Sequence, residues 1–295
     1  MNANKSRYSF CLGLACLLLV SLSVSAQDGA LVETGRAEKI AATPAATEKF
    51  KVVSYNMRWR GGADLAKLIN LLREDKEIGG ATIICLQEID RNKKRTKNVN
   101  TARQIAAELG LYYAWAAPPT VGKDAEEETG VALLSRYPLT DVKRLVLPVP
   151  GPKGRRRVAL GATASVGAQK IRVYSVHAEI RIKNAQRSEQ LRAVIEEAKD
   201  YPTTIIAGDF NTYSRAAQVN AANLFLNSGY ATPFPYDEAT WRAFIVELKL
   251  DWLWLRGLQS EKYGIDRAVK MSDHWPLWAE VTSQRSKVEG QKSKE

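Results

Sequence analysis

The sequence predicts an α/β protein of the α+β type, in which two packed mixed β-sheets carry helices on their outer faces. Short apolar runs rich in β-branched residues recur along the chain between turn residues, which is the pattern of β-strands. Fewer segments show helical periodicity, and they do not alternate strictly with the strands in the middle of the chain. This order disfavours a doubly wound parallel sheet and favours two sheets packed face to face.

Nine runs are predicted as strands because each is short, apolar and mostly bounded by turn-forming residues. In chain order they are Lys51–Tyr55, Thr82–Leu86, Val131–Leu134, Val142–Leu147, Val158–Ala164, Ile171–Val176, Thr203–Ala207, Trp252–Leu255 and Trp278–Val281. The segments predicted as helices are 63–75, 101–109, 184–200 and 215–227. In the third of these, Leu191, Val194 and Ala198 follow one another at spacings of three and four, so they share one face of a helix.

The composition is that of a globular protein with an excess of positive charge. Of 295 residues, 45% are hydrophobic and 25% are charged, which excludes the disordered and collagen-like classes. The chain has 43 basic and 32 acidic residues, a formal net charge of +11. Such a charge favours anionic partners such as nucleic acid, phosphorylated small molecules or acidic lipid. The absence of a repeat period excludes a solenoid or a propeller.

The N-terminal residues have the organisation of a secretory signal. Lys5 and Arg7 precede the apolar run Phe10–Leu22, and the small residues Val24–Ala26 follow it. The apolar run is 13 residues long, short of the ~20 residues that cross a bilayer as a helix. We therefore predict a signal peptide over residues 1–26, cleavage after Ala26 and a secreted or periplasmic protein without stable membrane insertion. An uncleaved anchor is the alternative.

The mature chain is predicted to be one large domain with flexible ends. Loss of the signal leaves 41 basic against 32 acidic residues, a charge of +9, and Cys85 as the one remaining cysteine, predicted to be buried. Residues 27–48 are predicted as a flexible leader, 49–282 as the domain and 283–295 as a disordered tail. No segment resembles a heptad seam, so we expect a monomer.

Acidic, amide and imidazole side chains gather where the predicted strands end or begin. They are Asn56, Gln87, Glu88, His177, Asp209, Asn211, Asp251, Asp273 and His274. Strand ends at one rim of a sheet can hold such groups together rigidly. The chain contains two histidines, and both belong to this set, which indicates that the imidazoles serve a function.

The chemistry of these side chains favours a hard divalent cation. Carboxylates and amides supply oxygen ligands, and neither a cysteine partner nor a His-x-x-x-His spacing accompanies them. Oxygen donors suit Mg²⁺ or Mn²⁺ and argue against a zinc site. The sequence also lacks Gly-x-Ser-x-Gly, a P-loop and Gly-x-Gly-x-x-Gly, so serine hydrolases, nucleoside triphosphatases and dinucleotide enzymes have no support.

Seven short motifs, taken in order, resemble those of the endonuclease/exonuclease/phosphatase superfamily, the deoxyribonuclease-I-like metal-dependent phosphoesterases. They are Ser54-Tyr55-Asn56, Leu86-Gln87-Glu88, the segment from Gly130 to Pro138, Val176-His177, Gly208-Asp209-Phe210-Asn211, Asp251-Trp252-Leu253 and Ser272-Asp273-His274. The resemblance runs from about Val52 to Val281. It implies a four-layer α/β/β/α sandwich and a metal-dependent phosphoric ester hydrolase.

The resemblance also implies how the metal and the attacking water are held. Glu88 would be the principal Mg²⁺ ligand, with Mn²⁺ as a possible substitute, and Asn56 and Asp273 would assist it. Asp209 and Asn211 would orient or deprotonate the water.

The histidines would contact the phosphate. His274 would touch the scissile phosphate or act as general base, with its tautomer held by Asp251, and the formal base stays open between these groups. His177 would donate to a nonbridging oxygen. Arg157 is predicted to bind the substrate phosphate, together with His177 and Asn211.

The leading hypothesis is an exported Mg²⁺-dependent phosphodiesterase that hydrolyses nucleic acid by metal-assisted water attack. It depends on the complete motif set, the positive charge and two basic clusters, Lys93–Lys97 and Arg155–Arg157. The alternative is a phosphomonoesterase or phospholipase-C-like hydrolase of inositol phosphates or phospholipid head groups. Acting on lipid would require an exposed apolar loop, for which the stretch 241–254 is the candidate. A non-catalytic binding module is the third reading, disfavoured because the motifs are intact.

Overall fold

The computed structural model describes residues 31–41, 49–119, 128–167 and 169–283. Within these ranges the chain forms fourteen β-strands and four α-helices. The predicted signal peptide, and all of the predicted tail except Ser283, lie outside the described residues. No helix in the described ranges is long and apolar enough to cross a membrane.

The strands and helices, labelled in chain order, have the following bounds. The strands are β1 Val32–Arg36, β2 Lys49–Asn56, β3 Ile83–Arg91, β4 Tyr112–Ala116, β5 Glu128–Ser135, β6 Leu139–Val146, β7 Val158–Val166, β8 Gln169–His177, β9 Thr204–Asp209, β10 Trp241–Ala243, β11 Val246–Leu248, β12 Asp251–Arg256, β13 Leu258–Ile265 and β14 Leu277–Ser283. The helices are α1 Gly62–Glu74, α2 Thr101–Leu109, α3 Asn184–Glu197 and α4 Arg215–Asn227.

Two mixed sheets form the centre of the molecule, as predicted. The larger has the order β1-β4-β5-β3-β2-β14-β13, and the smaller β12-β9-β8-β7-β6. Each contains one parallel pair, β2 with β3 and β8 with β9, among antiparallel pairs. The carboxyl ends of a parallel pair lie at the same edge, which matters for the site described below.

Three apolar clusters stack these sheets and helices into four layers. The inner cluster fills the space between the sheets and includes Val52 and Cys85. Their chain neighbours Val53 and Leu86 face the other way, into the cluster beneath α1 and α2. A third cluster, which includes Val176, lies beneath α3 and α4. The central strands are therefore buried on both faces, which explains why they appear in the sequence as continuous apolar runs rather than alternating ones.

The helices agree closely with prediction because their ends carry local signals. Helix α2 begins after Asn100, whose side chain accepts a hydrogen bond from the backbone N–H of Arg103, and ends at Gly110 in the left-handed region with φ 69°. Helix α4 begins after Ser214, which caps the N–H of Ala217 in the same way. Helix α3 ends at Glu197, three residues before the predicted end.

The prediction of a flexible leader over residues 27–48 is wrong for Val32–Arg36, which form the edge strand β1. This strand pairs antiparallel with β4, and its Glu33 contacts Arg103 and Tyr113 through hydrogen bonds. Strands β4 and β13 and the β10–β11 hairpin were also not predicted. Strand β13 is an edge strand with many exposed polar residues, and edge strands of that kind lack the apolar pattern used for prediction.

Candidate active site

The candidate active site lies where the corresponding edges of the two sheets meet. Asn56 and Gln87 are register partners at the end of the β2–β3 parallel pair. In the other sheet His177 of β8 is the partner of Asp209 of β9, which in turn pairs with Asp251 of β12. Three functional side chains therefore lie side by side at the same level of the smaller sheet.

Unusual backbone geometry directs two of the predicted residues into the site. Glu88 interrupts the β3–β5 ladder at a bulge and adopts φ 58°, and Asn211 adopts φ 54° just after β9. Left-handed conformations are costly for such residues and are found preferentially at functional sites. Gly208 is needed for a further reason, since a Cβ there would lie 2.0 Å from the carbonyl oxygen of Val176.

His274 and Asp251 form a buried pair. The Nδ1 of His274 lies 2.8 Å from the Oδ2 of Asp251. The Thr240 hydroxyl donates to the same Oδ2 at 2.7 Å and accepts from the backbone N–H of Asp251 at 2.9 Å. Burial lowers the pKa of His274, but the charge and hydrogen bond of Asp251 outweigh that effect and raise the pKa to about 9.

Asp209 lies at the centre of the cluster. Its Oδ2 accepts from the Asn56 amide at 3.1 Å and lies 3.6 Å from the Nε2 of His177 and 3.9 Å from the Nε2 of His274. Its Oδ1 accepts from the backbone N–H of Asn211 at 2.9 Å. Burial raises the pKa of Asp209; nearby His274 lowers it, whereas the charge of Asp251 raises it further. This carboxyl is thus placed to exchange a proton near neutral pH.

His177 lies next to a cationic side chain, whereas His274 lies next to a carboxylate. An Nη of Arg157 lies 3.3 Å from its Nδ1, and the ring is fully buried. Burial lowers the pKa of His177 to about 3, and the charges of His274 and Arg155 act in the same direction. The ring is therefore neutral at physiological pH.

Two of the three predicted metal ligands line one cleft of about 840 Å³, and the third, Asn56, contacts one of them. Glu88 and Asp273 line it beside His274. Asn56, buried behind Glu88, approaches the Oε1 of Glu88 with its amide at 3.4 Å, and its own carbonyl accepts from the N–H of Arg58. The Asp273 carboxylate is paired with Arg58 at 3.1 Å. Carboxylate and amide oxygens around an open cleft fit a hard divalent cation.

A second acidic group lies deeper. Asp209, Asp251 and His274 each offer a ligand atom within 4.8 Å of the others. The Nδ1 of His274 is already bonded to Asp251, so a cation bound by that nitrogen would have to displace this hydrogen bond. The donor set therefore favours the Glu88 side for the metal and leaves the deeper group for proton transfer.

The structure brings together all the predicted site residues, and it adds several that the sequence did not single out. The basic residues that line the cleft are Arg58, Lys93, Lys153, Arg155, Arg156, Arg157 and Arg181, of which Arg58, Lys153 and Arg181 were not singled out in the sequence. Of the cluster Lys93–Lys97, Lys93 lines the cleft, whereas Arg95 is paired with Asp90 and stacks on the Trp59 ring at 4.2 Å. Arg58 and Trp59 follow Asn56 directly, which is the sequence signal that could have identified them.

Comparison with known proteins identifies the class. The model of the endonuclease/exonuclease/phosphatase family matches residues 53–274, about three quarters of the sequence. The protein therefore belongs to the endonuclease/exonuclease/phosphatase family, whose members are metal-dependent phosphoester hydrolases. It is accordingly a metal-dependent phosphoric ester hydrolase, as the motifs predicted.

Solved structures share the fold at low sequence identity. An endonuclease/exonuclease/phosphatase from Beutenbergia cavernae has 14% identity and a TM-score of 0.64, over 80% of this chain and 72% of that one. TDP2 from D. rerio, complexed with single-strand DNA product, has 17% identity and a TM-score of 0.61, over 80% and 100%. A mannosyl-6-phosphatase from Bacteroides thetaiotaomicron has 17% identity and a TM-score of 0.57, over 79% of this chain and 99% of that one. A search of curated proteins gave no match.

Proposed function

We propose that this protein is an exported, Mg²⁺-dependent phosphodiesterase that hydrolyses nucleic acid as a monomer. The observation that carries the proposal is the lining of the cleft, where seven basic side chains surround the two carboxylates Glu88 and Asp273. A wall of that charge attracts a chain of phosphates more strongly than an isolated phosphate. Solved structures of this fold include both a DNA-bound enzyme and a sugar phosphatase, so the fold by itself does not determine the substrate. The residues that line the cleft must therefore determine it.

The metal would be held by Glu88 with help from Asn56 and Asp273. When bound, Mg²⁺ would act as a Lewis acid that offsets the negative charge of the phosphoryl oxygens. The side chains deeper in the site would act on the water and on the proton. Asp209, whose pKa is raised, would accept the proton of the attacking water, and the Asn211 backbone N–H bonded to its Oδ1 would keep the carboxylate in place.

Both imidazoles would contact the phosphate of the substrate. His274, held through Nδ1 by Asp251, directs its Nε2 toward the same region as Asp209 and would contact the scissile phosphate. His177 would donate from Nε2 to a nonbridging oxygen, and Arg157 beside it would pair with the phosphate charge.

The seven basic residues that line the cleft form a basic wall, and part of its charge has no acidic partner among the described residues, which favours a polymeric substrate. Arg155 and Arg157 share the carboxylate of Glu179. The side chains of Lys153, Arg156 and Arg181 line the same wall and make no ion pair within the described ranges. We expect these three cations to bind phosphates that flank the scissile one, as a nucleic acid strand would present them.

Activity on defined substrates tests the proposal. We expect the mature protein to degrade plasmid DNA or RNA with Mg²⁺ and to be inactive with a chelator. Binding of a single-strand oligonucleotide should weaken steeply with salt, and replacing Lys153 and Arg156 by Gln should flatten that dependence. A salt-independent enzyme that hydrolyses only inositol phosphates would refute the nucleic acid assignment. Processing after Ala26 in an exporting host would test the signal peptide.

One observation favours a second candidate, a phospholipase-C-like hydrolase of phospholipid head groups. The stretch 241–254 contains the exposed apolar tip that such an enzyme requires. Trp252 and Trp254 are fully buried, but Phe244 and Ile245 at the turn of the β10–β11 hairpin are 94% and 95% exposed. This hairpin is joined to the site, because the N–H of Arg242 donates to the carbonyl of Asp273 at 2.8 Å.

Vesicles separate the two candidates. If lipid is the substrate, the protein should bind phosphatidylglycerol vesicles, and Phe244→Ser with Ile245→Ser should abolish both binding and head-group release while oligonucleotide cleavage is unchanged. Hydrolysis of oligonucleotide without vesicle binding would favour the nuclease. The matched control is Val219→Ser on α4, which removes an exposed apolar residue of another element.

A further inference from the structure

Glu179 is a buried carboxylate two residues beyond His177. Its side chain is 0% exposed. The Nε of Arg157 donates to its Oε2 at 3.2 Å, the Nε of Arg155 lies at the same distance from that oxygen as an ion pair, and the backbone N–H of Arg181 donates to its Oε1 at 3.0 Å. A charge that is removed from water needs such partners, so this carboxylate is a structural centre for the basic wall rather than a surface group.

The backbone is built to bring the arginines to this carboxylate. A Cβ at Gly151 would lie 2.7 Å from the Cδ of Glu179, so a larger residue there would displace the carboxylate from its present position. The N–H of Gly151 donates to the carbonyl of Arg155 at 2.8 Å and closes the turn. The backbone N–H of Glu179 donates to the side chain of Gln190 on α3 at 2.9 Å, which fixes Glu179 from the other side.

The orientation of Arg157 determines which nitrogen of His177 carries the proton. While its Nε is bonded to Glu179, an Nη of the same guanidinium lies 3.3 Å from the Nδ1 of His177. A guanidinium can only donate, so Nδ1 must be the acceptor and is unprotonated. The neutral ring therefore carries its hydrogen on Nε2, the atom that lies 3.6 Å from the Oδ2 of Asp209 and faces the reaction centre.

We infer that Glu179 is a positioning residue that acts through Arg157 to hold His177 in the Nε2–H tautomer. In that tautomer His177 presents a hydrogen-bond donor to a phosphoryl oxygen of the substrate. In the other tautomer it would present a lone pair to an anion, which is repulsive. The inference relies on the proposed role of His177 toward phosphate, but it does not depend on whether the phosphoester is nucleic acid or lipid.

The tautomer can be measured directly by ¹⁵N NMR of the imidazoles, because the chain has two histidines and His274→Gln assigns them. In the native protein we expect His177 to show a protonated Nε2 and an unprotonated Nδ1. In Glu179→Gln we expect these signals to move toward the average of the two tautomers. The control is Glu196→Gln, which removes an exposed ion pair with Lys199 and should leave both rings unchanged.

Kinetics distinguish positioning from other roles of Glu179. With a single-strand oligonucleotide or bis(4-nitrophenyl) phosphate, Glu179→Gln should lower kcat about tenfold without raising KM, as loss of a supporting hydrogen bond does. Mere neutralisation of the basic wall by Glu179 would instead lower KM and leave kcat unchanged. Glu179→Asp, which keeps the charge, should recover part of kcat.

Two results would overturn the inference. One is an unchanged Nε2–H tautomer of His177 in folded Glu179→Gln, and the other is an unchanged kcat. If Glu179→Gln does not fold, Arg157→Lys provides the test, because an ammonium cannot bond Glu179 and His177 in the same fixed plane. Failure of the nuclease proposal would be recognised separately, since it changes the substrate and leaves the NMR result intact.

Discussion

The two histidines of this protein lie within one cluster, yet the fold gives them opposite protonation. The Nδ1 of His274 donates to a carboxylate, Asp251, and the pKa of the ring is raised to about 9. The Nδ1 of His177 accepts from a cation, Arg157, and burial lowers the pKa of the ring to about 3, with the charges of His274 and Arg155 acting in the same direction. Both direct Nε2 toward Asp209. Burial lowers the pKa of both rings, and the neighbours decide the outcome, because Asp251 reverses the effect of burial at His274 whereas the charges around His177 add to it.

The largest expected effect is the loss of His274. We predict that His274→Ala lowers kcat about 10³-fold, because the site loses both the contact to phosphate and the charged partner of Asp209. Measurement of kcat on an oligonucleotide with Mg²⁺ checks this, and circular dichroism confirms the fold. Full activity in a folded variant would remove the histidine pair from the mechanism.

His177→Ala should cost less, about 10²-fold in kcat, since it removes one neutral donor to the phosphate. If the two rings acted as a single unit, the double variant would be as active as the less active single variant. We expect the losses instead to combine to more than either alone, which a double-mutant cycle of kcat/KM measures. A larger loss for His177 than for His274 would reverse the assignment of roles.

A substitution of Thr240 tests the surroundings of Asp251 and His274 without changing those of His177. Thr240→Val keeps the shape but removes the hydroxyl that donates to Asp251 and accepts two backbone N–H groups. We predict a loss of about 1–3 kcal/mol in the free energy of unfolding and about tenfold in kcat. The ¹⁵N signals of His177 should stay as in the native protein. A change confined to His177 would contradict the separation of the two rings.

The smallest effect on activity is expected at Lys249, two residues before Asp251. Its side chain is buried, its ammonium has no hydrogen-bond partner within the described residues, and it lies over the rings of Trp252 and Phe234. Burial lowers the pKa of Lys249 to about 8, although Asp251 opposes this. We predict that Lys249→Met stabilises the fold by about 1–3 kcal/mol at pH 7 and changes kcat less than about threefold.

The pH dependence of the free energy of unfolding tests whether the buried charge of Lys249 destabilises the folded protein. The folded-state pKa of Lys249 is about 8 and the unfolded value 10.5, so the unfolded chain binds more protons between these values. The free energy of unfolding of the native protein should therefore rise across this window relative to Lys249→Met, and the difference should narrow at high pH. Urea titrations at pH 7 and pH 10 check this, and a difference that widens with pH would contradict the burial of a charged lysine.

The sequence predicted nine of the fourteen strands and all four helices found in the described residues, because strands buried on both faces and capped helices leave local patterns. It did not predict β1, because Val32–Arg36 is half polar and becomes a strand only by pairing with β4. The hairpin β10–β11 was missed because none of its strand residues is buried and half of them are exposed.

The sequence also predicted which residues form the candidate site, since order and residue type are enough to recognise the family motifs. It did not predict Glu179 or Thr240, because each acts through partners in other elements of the fold, and it missed Arg58 although that residue follows the Asn56 motif closely.

The amino-acid sequence alone determined the class of chemistry, because hard oxygen donors and imidazoles at strand ends are a property of residue type and position. Only the tertiary structure decided whether the Nδ1 of each imidazole donates or accepts a hydrogen bond. That depends on whether Nδ1 meets Asp251 or Arg157, which lie 23 and 20 residues away along the chain and are brought within hydrogen-bond distance only when the sheets and loops assemble.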